Sequence, residues 1–155
     1  MILGCGDDGG SAPVVDAGAD APPACACAGG QGCLTITVTR TTDVTNQPWT
    51  VWPNEADGAG TLIVSAREGA SVRARMTVAT ANMVPATASY RVDLGCVPAS
   101  TLTLGAFLDD NLNAGAADTF SSDYRDSCML MRQPTQIIVA AAHNDVALAL
   151  NNSCD

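Results

Sequence analysis

Leu34-Thr35-Ile36-Thr37-Val38-Thr39-Arg40 is the stretch on which the fold turns. Its apolar residues Leu34, Ile36 and Val38 alternate with Thr35, Thr37 and Thr39, and a period of two puts each set on its own face of an extended chain. The β-branched residues Ile, Val and Thr also favour the pleated, half-buried surface of a sheet. A strand with its aliphatic face inward is expected here. Moving along the chain, Ser71 to Val78 repeats the alternation, with Val72, Ala74, Met76 and Val78 expected inward and Arg73, Arg75 and Thr77 toward water.

Shorter strand signals are Trp49 to Trp52, Thr61 to Ala66, Ala88 to Leu94, Thr101 to Leu108, Ile137 to Ala142 and Val146 to Leu150. Clusters of Gly, Pro, Asn and Asp separate them, and these residues favour turns. About eight short strands result, none of them with a 3.6-residue period sustained over a helix length; only Ala140-Ala141-Ala142 leaves a helical alternative open. The expected fold class is all-β: a single antiparallel β-sandwich, Ig-like or transthyretin-like, over residues 25–155. Apolar residues make up 47% of the chain but aromatics only 4%, so the core must be built from small aliphatic side chains. Trp49 and Trp52 should point to opposite faces of their strand.

The charge balance excludes several partners. Asp and Glu number 16 against 7 basic residues, for a net charge of −9, and every basic residue is Arg. Binding to a phosphate backbone relies on clustered cations that displace counterions, and no such cluster occurs, so nucleic acid is not expected as a partner. Adsorption to anionic lipid is disfavoured for the same reason. An envelope protein or a glycan remains the expected partner class, with membrane contact only through an anchor.

The cysteines set the compartment. Cys5 stands alone near the start, whereas Cys25, Cys27, Cys33, Cys96, Cys128 and Cys154 form an even set of six, suited to three bridges in an oxidising environment. Cys25-Ala26-Cys27 with Cys33 could bind a soft metal through thiolates, but no second Cys-x-x-Cys pair or nearby His completes a tetrahedral site. Disulfides are therefore the expectation. Of the 15 pairings that six cysteines allow, the expected one joins Cys96 to Cys128 and Cys154 to one of Cys25, Cys27 and Cys33, leaving the other two paired locally.

Ile2-Leu3-Gly4-Cys5 resembles a bacterial lipobox, the motif at which a signal peptidase cleaves before a cysteine that then carries lipid. The resemblance implies lipidation at Cys5 and a place in the cell envelope, at the outer membrane, in the periplasm or on the cell surface. A secretory signal needs a basic region and an apolar stretch, and only Met1 to Gly4 precede Cys5, so the export segment is expected upstream. Gly6 to Ala24, rich in Gly, Ala, Asp and Pro, offers almost nothing to bury against its ordering entropy. Residues 1–24 are thus expected to be the lipobox remnant and a disordered tether.

One loop has the makings of a metal site. In Phe107-Leu108-Asp109-Asp110-Asn111-Leu112-Asn113-Ala114-Gly115-Ala116-Ala117-Asp118, side-chain oxygens at Asp109, Asn111 and Asn113 alternate along the chain, and Gly115 offers a carbonyl. Calcium takes about 6–8 oxygen ligands, and such spacing lets a loop curl round it. The segment resembles the Asp-rich F-x-D-x-N-x-N loop of extracellular β-sandwich repeats, as in B-type surface domains of collagen-binding proteins. That resemblance implies that Phe107 anchors the loop while Asp109, Asn111, Asn113 and Asp118 hold calcium, with Asp110 and Asp123 as spare carboxylates. The alternative is a solvated loop in which Asn and Asp serve turns.

Catalytic signals are sparse. His143 is the only histidine, and neither a G-x-S-x-G elbow, a zinc-binding histidine pair nor a phosphate-cradling Gly loop occurs. His143 is read as a surface turn residue ahead of Asp145. The expected function is therefore that of a non-catalytic envelope lipoprotein, a binding or structural module. The alternative is a small secreted hydrolase using carboxylates or His143.

Overall fold

A computed structural model describes residues 26–40, 58–84, 87–120, 127–128 and 135–153. Cys5, the tether, Cys25, the Trp49 to Trp52 segment, Asp123 and Cys154 lie outside the described residues, and Cys128 is described in its backbone alone. The long strands are β1 (Gln31–Arg40), β2 (Ala59–Glu68), β3 (Ser71–Asn82), β4 (Ser89–Pro98) and β5 (Thr101–Asp109). After them come the short β6 (Ser127–Cys128) and β7 (Thr135–Ile138), the long β8 (His143–Leu150) and the short β9 (Asn152–Ser153). No helix occurs among the described residues, and Ala141 and Ala142 form a bend.

The strands form two sheets. One has the order β4-β1-β8; the other runs β3-β2-β5, with β6, β9 and β7 extending it beyond β5. The expectation of a wholly antiparallel arrangement fails at one pair, because β1 and β8 run parallel from Cys33 beside His143 to Arg40 beside Leu150. A hairpin enforces antiparallel pairing only between neighbours in sequence, whereas a distant strand arriving by crossover is free to align in parallel.

Both sheets contribute to one aliphatic core. Leu34, Ile36, Val38, Val92, Leu94, Val97, Leu148 and Leu150 come from the first, and Leu62, Val64, Ala66, Leu102, Leu104, Ala106 and Leu108 from the second. The alternation read in β1 is present, with Leu34, Ile36 and Val38 fully buried. Arg40 continues that inward face and is itself buried. In β3, by contrast, Ala74 and Val78 pack on the core while Val72 and Met76 are 49% and 47% exposed. The reason is position: β3 is the edge of its sheet, covered less completely than a central strand.

Strand boundaries moved where apolar runs misled. The Ile137 to Ala142 run was expected as one strand, but β7 stops at Ile138 and the next residues turn toward β8, which begins at His143 and not at Val146. Asn144 fixes that turn. Its side-chain amide donates to the carbonyls of Cys33, Ala140 and Ala142, and its oxygen accepts the Ala140 N–H.

Candidate functional site

The acidic loop leaves the end of β5 and doubles back over the outer face of β2 and β5. Phe107 and Ile63, both buried on that outer face, form a small apolar cluster against which Ala114 packs. Further along, the Ser65 hydroxyl donates to the Thr119 carbonyl, and the Arg67 guanidinium lies 3.7 Å over the Phe120 ring. Gly105 permits this approach, because a Cβ there would sit 2.9 Å from the Thr119 carbonyl oxygen and 3.0 Å from Ser65 Oγ. Phe107 thus seats the loop.

Asp109 organises the first turn. Only 3% exposed, its carboxylate accepts the Asn113 N–H on one oxygen at 3.0 Å and the Ala114 N–H on the other at 3.1 Å. The Asn111 side-chain oxygen also accepts the Asn113 N–H, and Leu112 between them adopts a left-handed φ of 59°. Lower in the loop, Asp118 Oδ2 accepts the Gly115 N–H while the Gly115 carbonyl accepts the Asp118 N–H. Arg75, expected to face water, reaches in from β3. Its Nε donates to the Asp118 carbonyl at 2.6 Å and its Nη2 to the Gly115 carbonyl at 3.4 Å.

Calcium needs oxygens converging on one point, at about 2.3–2.6 Å from the ion. Here Asp109, Asn111 and Asp118 direct side-chain oxygens at the loop's own amides, and the Gly115 carbonyl faces a guanidinium. Among the described residues no three carboxylates bring their oxygens within 4.8 Å of one another. This donor set does not fit the ion as arranged; a fixed cation, Arg75, already meets the loop's carbonyls.

Sulfur supplies the other constellation. Cys27 is bonded to Cys96, 69 residues away in sequence. This corrects the expected Cys96–Cys128 pairing. The physical reason is register: Cys96 lies directly across from Cys33 on neighbouring strands, at the end of the sheet where residues 26–30 enter β1. Cys33 is disulfide-bonded as well. Its sulfur lies 3.3 Å from that of Cys27, and the sulfurs of Cys27, Cys33 and Cys96 all fall within 4.8 Å of one another.

A β-bulge brings Cys96 to this cluster. Val92 and Leu94 of β4 point into the core, so strict alternation would bury Cys96 too. Between the pairs Cys33 with Cys96 and Thr35 with Asp93, however, β1 has one residue and β4 has two. The extra residue is accommodated at Gly95, whose φ of 71° and hydrogen bond to Asp93 Oδ1 mark the bulge. Beyond it the parity reverses: Cys96 is exposed and Val97 fully buried.

His143 opens β8 in register beside Cys33, so the lone histidine lies in a strand and not in a turn. Its Nε2 is 3.2 Å from Asp145 Oδ2, and Asp145 Oδ1 accepts a hydrogen bond from Arg91 at 3.1 Å. Spacing in the sequence could not reveal the sulfur cluster, since it joins residues 27, 33 and 96 through the pairing of β1 with β4. No family model matches the chain, and no curated protein is similar to it.

Proposed function

We propose that this chain is a non-catalytic module of the bacterial cell envelope, a β-sandwich held to a membrane by lipid on Cys5 and working there as a binding or structural element. The observation that carries the reading is the sulfur chemistry: Cys27 and Cys96 are cross-linked and Cys33 is disulfide-bonded, the state of a protein matured in an oxidising compartment. The lipobox-like Ile2-Leu3-Gly4-Cys5 supplies the anchor, and the polar Gly6 to Ala24 segment the stand-off from the membrane. Two sheets closing on one aliphatic core support the sandwich.

Metabolic labelling with an alkyne fatty acid in the source cells tests this. The wild-type chain should carry label in the membrane fraction, and Cys5→Ser should lose both label and membrane association. Unlabelled protein recovered in the cytosol would overturn the proposal. A pull-down from envelope extract, run beside a panel of glycan, peptide and ester substrates, then separates binding from hydrolysis. Turnover abolished by His143→Ala would replace the module with an enzyme.

A further inference from the structure

The end of β1 carries more sulfur than one staple needs. A cross-link requires two cysteines, yet the Cys27–Cys96 bond has a third sulfur, Cys33 Sγ, 3.3 Å from Cys27 Sγ and bonded elsewhere. Nothing separates the two bridges. Cys27 and Cys33 are half-buried and Cys96 is exposed, so the cluster is open to dissolved thiols. The bulge at Gly95 is what turns Cys96 out of the core toward the other two.

We propose that these three cysteines form a thiol–disulfide exchange site, whose substrate class is an external thiol or dithiol and whose central atom is Cys27 Sγ. Exchange proceeds when a thiolate attacks a disulfide sulfur and expels its partner. The external thiolate first attacks the sulfur bonded to Cys33, forming a mixed disulfide there and releasing Cys33 as a thiolate. Cys33 Sγ, already beside Cys27 Sγ, then attacks it. The Cys27–Cys33 bond forms, the Cys27–Cys96 bond breaks, and its electron pair leaves on Cys96, which takes a proton from water. Two disulfides exist before the sequence and two after it, so the exchange itself needs no oxidant. Its outcome is that a strand-spanning tie between residues 27 and 96 becomes a local tie between 27 and 33, and an exposed thiol appears on β4.

The experiment uses the full oxidised chain with sub-stoichiometric dithiothreitol, an acid quench at intervals, alkylation, proteolysis and mass-spectrometric mapping of linkages. Early samples should contain a Cys27–Cys33 linkage together with alkylated Cys96. Cys33→Ser, checked for wild-type circular dichroism, should release Cys96 at least about ten-fold more slowly, because the attacking thiolate is missing. Cys33 alkylated while Cys27–Cys96 stays intact, with no Cys27–Cys33 species, would overturn the proposal. So would equal Cys96 release from the wild type and Cys33→Ser. The wild-type map decides the matter even if the variant fails to fold.

Discussion

Asp109 shows how one side chain can carry two readings in a sequence. Its oxygens were legible as metal donors because Asp and Asn alternate after Phe107, but the same alternation serves to collect backbone amides, and those amides are where the carboxylate is directed. Asp109→Ala strands the Asn113 and Ala114 N–H groups and should cost about 1–3 kcal/mol in denaturant unfolding. Arg75→Ala should cost about 1 kcal/mol, since it removes hydrogen bonds to the Gly115 and Asp118 carbonyls at a partly exposed site. With Arg75 in place of an ion, the melting temperature should be the same in calcium and in chelator; a rise of several degrees with calcium would contradict that. Arg75 was missed because the period of two assigns a face and not a partner. Another charge at the surface has a pH consequence. The Glu68 carboxyl is held below its usual pKa by the Ser100 hydroxyl and then by the Arg73 guanidinium. Its small contribution is present above the ordinary Glu range and is lost as pH falls through the lowered value. An NMR titration should therefore show Glu68 ionising at a lower pH than an ordinary glutamate.

Among the elements, β4 makes the sharpest prediction. Gly95→Val removes the residue that tolerates the bulge's left-handed φ of 71° and favours a regular strand, which would carry Cys96 to the core side and Val97 to the solvent side. Peptide mapping of that variant should find the Cys27–Cys96 linkage lost, and its persistence would count against the bulge as the cause. Gly105→Ala tests the loop's seat on β5: the new methyl meets Thr119 and Ser65, so overpacking should cost about 1–3 kcal/mol and raise proteolysis between residues 109 and 120. The sequence made β1 and the inward half of β3 readable through their period of two. It could not show the reversal in β4, because a glycine inside an alternating run is consistent with either a weak strand or a bulge. Nor could it show that Asn144 would tie residues 140–142 to β1 and start β8 early, since that tie joins positions 111 residues apart.

At the scale of the whole molecule, the composition was a sound guide to the core, which is aliphatic and draws on both sheets. Leu104→Ala, in the middle of it, should cost about 2–5 kcal/mol. Against a main core whose buried side chains are aliphatic or Met, the cross-link from Cys27 to Cys96 matters: closing a loop of 69 residues lowers the entropy of the unfolded chain by an amount worth about 4 kcal/mol. Its topology followed from which strands became neighbours, a property of the folded chain that cysteine spacing does not contain. The envelope reading depends on those bonds existing in the cell. Protein taken from its source cells under acid-trapping conditions, alkylated without reduction and mapped by mass spectrometry, tests this directly. The account predicts a Cys27–Cys96 linkage and no alkylation at Cys33; free thiols at Cys27, Cys33 and Cys96, or a metal retained by them, would contradict it.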